Sequence, residues 1–243
     1  MPDPGPGAQS SGAEAPKPMP FAVMRNSHEA LRASVRLQEE KLEAGDAKGL
    51  GDEWRTFQRG LAVHMAMEDK FMFALLDEVG AGAISAAGVP AEHVEDLRLA
   101  RAVDAALAAN DLGALRSAWP AWRDDHLHHL THEEDVMMPL TMKTAPTPEA
   151  RARVFHDRVL APSEKLPDFD WYIGWVVRML SGQGTAAQPA SIAVRVFAWG
   201  LQHACSPAQW RRLAPIVKSN CAPAIWTEIA AKFGLEGEGK ISP

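Results

Sequence analysis

The chain repeats itself at an offset of 65 residues, and what repeats are the side chains most costly to bury. "HMAMEDKFMFALL" (64–76) lies over "HLTHEEDVMMPLT" (129–141), so that His64 meets His129, Glu68 meets Glu133, Asp69 meets Glu134 and Met72 meets Met137. A further histidine stands 36 positions before each stretch, His28 in "NSHEALR" and His93 in "AEHVEDLR". The region reads as two copies of one unit, His…36…His-x-x-x-Glu. Any fold for this chain has to bring equivalent residues to equivalent places.

From Phe21 onward the residues are mostly Ala, Leu, Met, Glu and Arg in helical rather than alternating periodicity. The pattern breaks at "AGDAKGLG" (44–51), "VGAGAIS" (79–85), "AANDLG" (108–113) and "TAPTPE" (144–149), where Gly, Asn, Asp and Pro supply C-caps, turns and N-caps. The expectation is an all-α fold: an up-down four-helix bundle with helices at about 20–44, 51–79, 86–109 and 112–142.

In an antiparallel hairpin, residues equidistant from the turn lie at one depth. The midpoint of His28 and His64 is residue 46, and that of His93 and His129 is residue 111, each inside a turn. Glu68 and His93 centre on about residue 80, inside the middle turn. All six side chains therefore fall in one layer. His64 and Glu68, like His129 and Glu133, stand at i,i+4 and share a helix face. The apolar residues that follow (Phe71, Met72 and Leu75, or Val136, Met137 and Leu140) continue that face as core.

Four imidazoles and two carboxylates converging inside a bundle are costly unless something satisfies them. A pair of divalent or trivalent ions does so, with the glutamates bridging and the histidines as terminal ligands. Such inward Glu and His residues recur in di-iron and di-manganese bundles. Imidazole and carboxylate without thiolate suits iron or manganese, and zinc also fits. The metal site residues are therefore His28, His64, Glu68, His93, His129 and Glu133. His126, three residues before His129, could reach the same face as an additional or supporting ligand. His128 and His132 form a second stripe about 100° away and are expected to face solvent. The methionines at 65, 67, 72, 137, 138 and 142 read as packing.

These residues carry a resemblance. His28, "HMAMED" (64–69), His93 and "HLTHEE" (129–134) make residues 21–143 similar to the hemerythrin-like, or HHE cation-binding, domain family. The resemblance implies a non-haem di-iron centre, oxo- or hydroxo-bridged, with the four histidines terminal and both glutamates bridging. The sequence departs from the oxygen-carrying members in two places. They have a second histidine four residues after the one on the third helix, where this chain has Leu97, and their last carboxylate is an aspartate five residues after its histidine, where Glu133 comes at four. The pattern is closer to bacterial HHE proteins and to the iron-sensing domain of a ubiquitin-ligase subunit.

Two function classes follow: a protein that binds or senses O2, NO or iron, and an oxidoreductase that activates O2 or peroxide against a bound substrate. No Ser-His-Asp set, Gly-rich phosphate loop or flavin motif suggests other chemistry. A net charge of −6 with no basic stripe argues against nucleic acid. No apolar run reaches the length of a membrane span. Residues 1–19, rich in Pro, Gly, Ser and Ala, read as a flexible tail rather than a secretory signal. Cys205 and Cys221 are the only cysteines, so a reducing cytoplasm is expected. Residues 150–235 read as further helices, with a linker at 181–191 and five of the eight tryptophans. They are open to three readings: a subdomain with Trp as core, a cap over the metals, or a surface for a protein partner.

Overall fold

The computed structural model describes residues 21–183 and 190–233. The expected tail at 1–19, most of the expected linker and residues 234–235 lie outside the described residues. Everything described is helix or connection, with no strand among the described residues.

Helix α1 (Phe21–Glu43) turns back into α2 (Ala47–Met67) through Gly45, at φ 70°, and Asp46, whose carboxylate accepts from Gly49 N at 2.8 Å. Sixty-five residues later the same turn recurs between α5 (Val89–Ala108) and α6 (Leu112–Thr141). There Asn110 takes φ 50° and the Asp111 carboxylate accepts from Ala114 N at 2.9 Å. Asn is among the few residues other than Gly that adopt this left-handed conformation readily, and each aspartate satisfies one orphan donor of its helix. The repeat thus reaches the turns, and continues inward as the buried pairs Leu50/Leu115 and Trp54/Trp119.

The second helix is not regular throughout. After α2 comes a π turn, Glu68–Met72, in which Phe73 N bonds Glu68 O five residues back, and then α3 (Phe73–Gly80). Ala81 (φ 53°) and Gly82 (φ 83°) end it, and Asp77 accepts from the backbone N of Ile84 and Ser85 to close the middle turn. A short helix α4 (Ala83–Ala87) occupies that turn. The third long helix, expected from about residue 86, starts at Val89, because Gly88 at φ 82° breaks the path.

α1 packs on α2 and α6, and α5 packs on α6 and α2. The remaining helices are α7 (Pro148–Phe155), a second π turn (His156–Leu160), α8 (Ala161–Ser163), α9 (Phe169–Gln183), α10 (Ala190–Ala204), α11 (Pro207–Asn220) and α12 (Pro223–Phe233). Helix α9 sits between the two groups, touching α1 and α2 on one side and α10 and α11 on the other. Its side chains are accordingly apolar nearly all round: Phe169, Tyr172, Ile173, Trp175, Val176, Val177 and Leu180 are buried. Gly60 of α2 admits this packing, since a Cβ there would stand 2.9 Å from the Trp175 ring. One hydrophobic core joins Trp54 and Trp122 to Trp175 and Trp210. No described helix is long and apolar enough to cross a membrane.

Candidate metal centre

The four long helical segments deliver their polar residues to one layer. His28 comes from α1, His64 from the end of α2, Glu68 from the first position of the π turn, His93 from α5, and His129 with Glu133 from α6. None is more than 3% exposed. Glu68 Oε1 lies 3.5 Å from His28 Nε2, and its Oε2 lies 3.3 Å from His64 Nε2 and 3.6 Å from His93 Nε2. Glu133 Oε2 lies 3.5 Å from His28 Nε2, and its Oε1 lies 3.3 Å from His93 Nε2 and 3.1 Å from His129 Nε2. Each glutamate therefore faces histidines of both halves, as bridging carboxylates would.

The four Nε2 atoms and all four oxygens of Glu68 and Glu133 are buried with no hydrogen-bond partner. Each such orphan costs about 1–3 kcal/mol. Their spacing has a simple account. Ligands about 2.1 Å from one ion stand roughly 3.0–3.4 Å apart, from octahedral to tetrahedral geometry. Three of the six separations, 3.1–3.3 Å, fall in that range, and the other three, 3.5–3.6 Å, lie just above it. The donors gather as His28, His64, Glu68 and Glu133, as His93, His129 and Glu133, and as Asp96, His126 and His129. These residues fit bound cations, with imidazole and carboxylate as the donor types.

The other ring nitrogens, Nδ1, are held from behind. His28 Nδ1 donates to Glu134 Oε1 at 3.0 Å, and Arg32 donates to the same oxygen at 2.6 Å. His93 Nδ1 donates to Asp69 Oδ1 at 2.9 Å. Asp96 Oδ2 lies 3.5 Å from His129 Nδ1, a charge contact rather than a hydrogen bond. It accepts instead from His126 Nδ1 at 2.5 Å, while Oδ1 accepts from Trp122 Nε1 at 2.6 Å. The Tyr172 hydroxyl lies 3.3 Å from His64 Nδ1. Sequence reasoning aligned Asp69 with Glu134 without seeing their work, which the shared offset could have disclosed. Asp96 has Leu31 as its repeat equivalent, and Tyr172, the only tyrosine, lies outside the repeat. No spacing pointed to either.

His126 stands beside the six, stacked on Trp122 and bonded to Asp96. His128 is exposed, while His132 is half-buried and donates to Glu92 at 2.7 Å, away from the layer. Leu97 is 46% exposed, and Asp96 takes the inward place after His93. Of the six methionines near the histidine motifs, Met65, Met67, Met72 and Met137 are buried and Met138 and Met142 are exposed.

Burial pulls every imidazole of the layer toward neutrality, and nearby carboxylates oppose it. For His64 burial wins and the pKa falls to about 4. His28 ends at about 9 through Glu134 and Glu68, His129 at about 10 through Asp96 and Glu133, and His93 at about 12 through Asp69, Glu133 and Glu68. Burial pushes Glu134 up, but His28 and Arg32 outweigh it and leave it at about 2. Without ions, the carboxylates around them favour the protonated forms of His28, His93 and His129, and an imidazole must lose its proton to bind a cation. Loading at pH 7 is therefore expected to release protons, with apparent affinity rising from pH 6 to 8. Calorimetry in buffers of different ionisation heat measures the release. Affinity that falls with rising pH would exclude imidazole ligation.

Residues 19–141 match the family model described as the hemerythrin HHE cation binding domain. No curated protein and no solved structure matches the chain in the corresponding comparisons.

Proposed function

The chain belongs to the hemerythrin HHE cation-binding family, and we propose that its buried His/Glu layer holds two iron ions and binds or senses a small ligand: O2, NO or iron itself. His28, His64, His93 and His129 would hold the ions, with Glu68 and Glu133 as carboxylates shared between them. Iron held in this way supplies Lewis acidity and reversible one-electron chemistry toward a small ligand.

The observation that carries this reading is the closure of the layer. All six residues are at most 3% exposed. The cavity of about 480 Å³ between α7 and α10 is lined by Arg153, His156, Trp199 and His203 among others, and by none of the six. A diatomic molecule or peroxide needs only a small fluctuation to enter such a layer, whereas an organic substrate needs a pocket beside the metal. Binding or sensing is therefore favoured over oxidation of a bound substrate. Tyr172 supports it too, because it sets a C-terminal helix in direct contact with His64.

Anaerobic purification and metal analysis, with absorption spectra before and after O2, NO and H2O2, test the proposal. About two irons per chain are expected, with near-ultraviolet absorption in the ferric state and a spectral change on adding at least one ligand. A single tight zinc per chain, with no uptake of iron under anaerobic loading, would overturn it.

A further inference from the structure

The two halves of the layer share their inner donors by repeat, but the groups behind them do not match. Behind His93 and His129 stand two carboxylates, Asp69 and Asp96. Among the described residues neither is paired with an arginine or lysine, and Asp96 bonds His126 and Trp122 instead. Behind His28 stands one carboxylate, Glu134, whose charge Arg32 offsets at 2.6 Å. Behind His64 stands no carboxylate of the described residues. The place filled by Asp96 in the second half is filled in the first by Leu31, fully buried, and His64 Nδ1 meets the neutral Tyr172 hydroxyl at 3.3 Å.

A cation on His64 Nε2 would fix the direction of that last contact. It would leave the ring proton on Nδ1, facing the Tyr172 hydroxyl at 3.3 Å. The Tyr172 hydroxyl bonds Ser27, and Ser27 Oγ donates to Val23 O at 3.1 Å. The chain of donors ends on a backbone carbonyl, which cannot take up a proton. Tyr172 therefore orients His64 without drawing its proton away, whereas a carboxylate in that place would raise the basicity of the ring as a ligand.

We propose that the two metal positions are inequivalent, the His93/His129 ion being held tightly and the His28/His64 ion being the weaker, exchangeable one, oriented by Tyr172 from the C-terminal segment. The inference rests on the two-ion reading above. Glu68 and Glu133 reach both positions, so the difference comes from the charge behind the imidazoles. Tyr172 is a positioning residue, since it acts on the ion through His64.

The test is anaerobic titration of the metal-free full-length protein with Co2+, followed by its visible ligand-field absorption. Two ions are expected to bind in steps separated by at least 10-fold, in line with the roughly 10–100-fold that outer hydrogen-bond partners contribute to metal affinity. Tyr172→Phe keeps the buried ring and removes the oxygen, so it should weaken the second step about 10-fold and leave the first in place. Arg32→Gln unmasks the Glu134 charge and should tighten the second step, a gain that damage to the fold does not produce. Two ions binding in one step, or both variants shifting both steps alike, would overturn the inequivalence and leave the two-ion reading standing. Uptake of fewer than two ions would overturn both.

Discussion

A chain cut after residue 148 is expected to give no soluble folded protein, rather than a free-standing metal domain. The reason is α9, whose Tyr172 and Trp175 are buried on helices α1 and α2 of the metal layer. Fully burying a side chain of this size contributes about 1.5–3 kcal/mol. Stripping the face that Phe169, Tyr172, Ile173, Trp175 and Val176 help to cover therefore costs about as much as the 5–15 kcal/mol net stability of a typical domain. The bundle would also expose a large apolar patch, which favours aggregation. Soluble yield, far-ultraviolet circular dichroism and a thermal melt of the 1–148 chain check this. A monomer that melts cooperatively would show that the family-matched segment stands by itself.

The second large effect is expected from His129→Ala. The substitution removes an imidazole from the tighter position and leaves Glu133 Oε1 with one histidine neighbour in place of two. Losing a direct ligand should exceed the 10–100-fold typical of outer partners, so iron content should fall by at least one ion per chain. Stability falls with it, because an ion at 100 times its dissociation constant contributes about 2.7 kcal/mol. His128→Ala, at an exposed position, should change stability by no more than about 0.5 kcal/mol. His132→Ala loses the bond to Glu92 and should cost about 0.5–1.5 kcal/mol with metal retained. Iron content and thermal midpoint of the three variants, measured side by side, decide it. If His128→Ala emptied the site while His129→Ala kept it, the rotational phase of α6 would be wrong.

What could be read beforehand was whatever the duplication encodes. The 65-residue offset placed both turns, Asp46 and Asp111, and gathered six residues into one layer. It could not place the π turn at Glu68, since one residue added to a helical turn leaves the burial of Met72, Leu75 and Leu76 looking helical. Nor could periodicity foresee the left-handed Gly88, because a helix start at 86 and one at 89 bury the same His93. Asp96 and Tyr172 were hidden for a different reason. Both break the symmetry that made the other residues visible, and the contact of Tyr172 with His64 spans 108 residues with no local pattern. Of the five tryptophans after residue 150, Trp175 and Trp210 are buried as the core reading expects, whereas Trp171, Trp199 and Trp226 are only half-buried.

The route by which the donors reach the layer also governs when an ion can be captured. They arrive from four helices, and His28 meets its partner Glu134 across 106 residues of chain. The unfolded polypeptide offers only the local pairs His64/Glu68 and His129/Glu133, too few to hold an ion firmly. Ions are therefore expected to enter after the helices have docked, late on the path to the native state. Interactions that form after the folding barrier leave the folding rate almost unchanged and retard unfolding instead. Bound metals would thus act in time as a lock on the closed protein, and their removal is expected to shorten its lifetime more than it slows its birth.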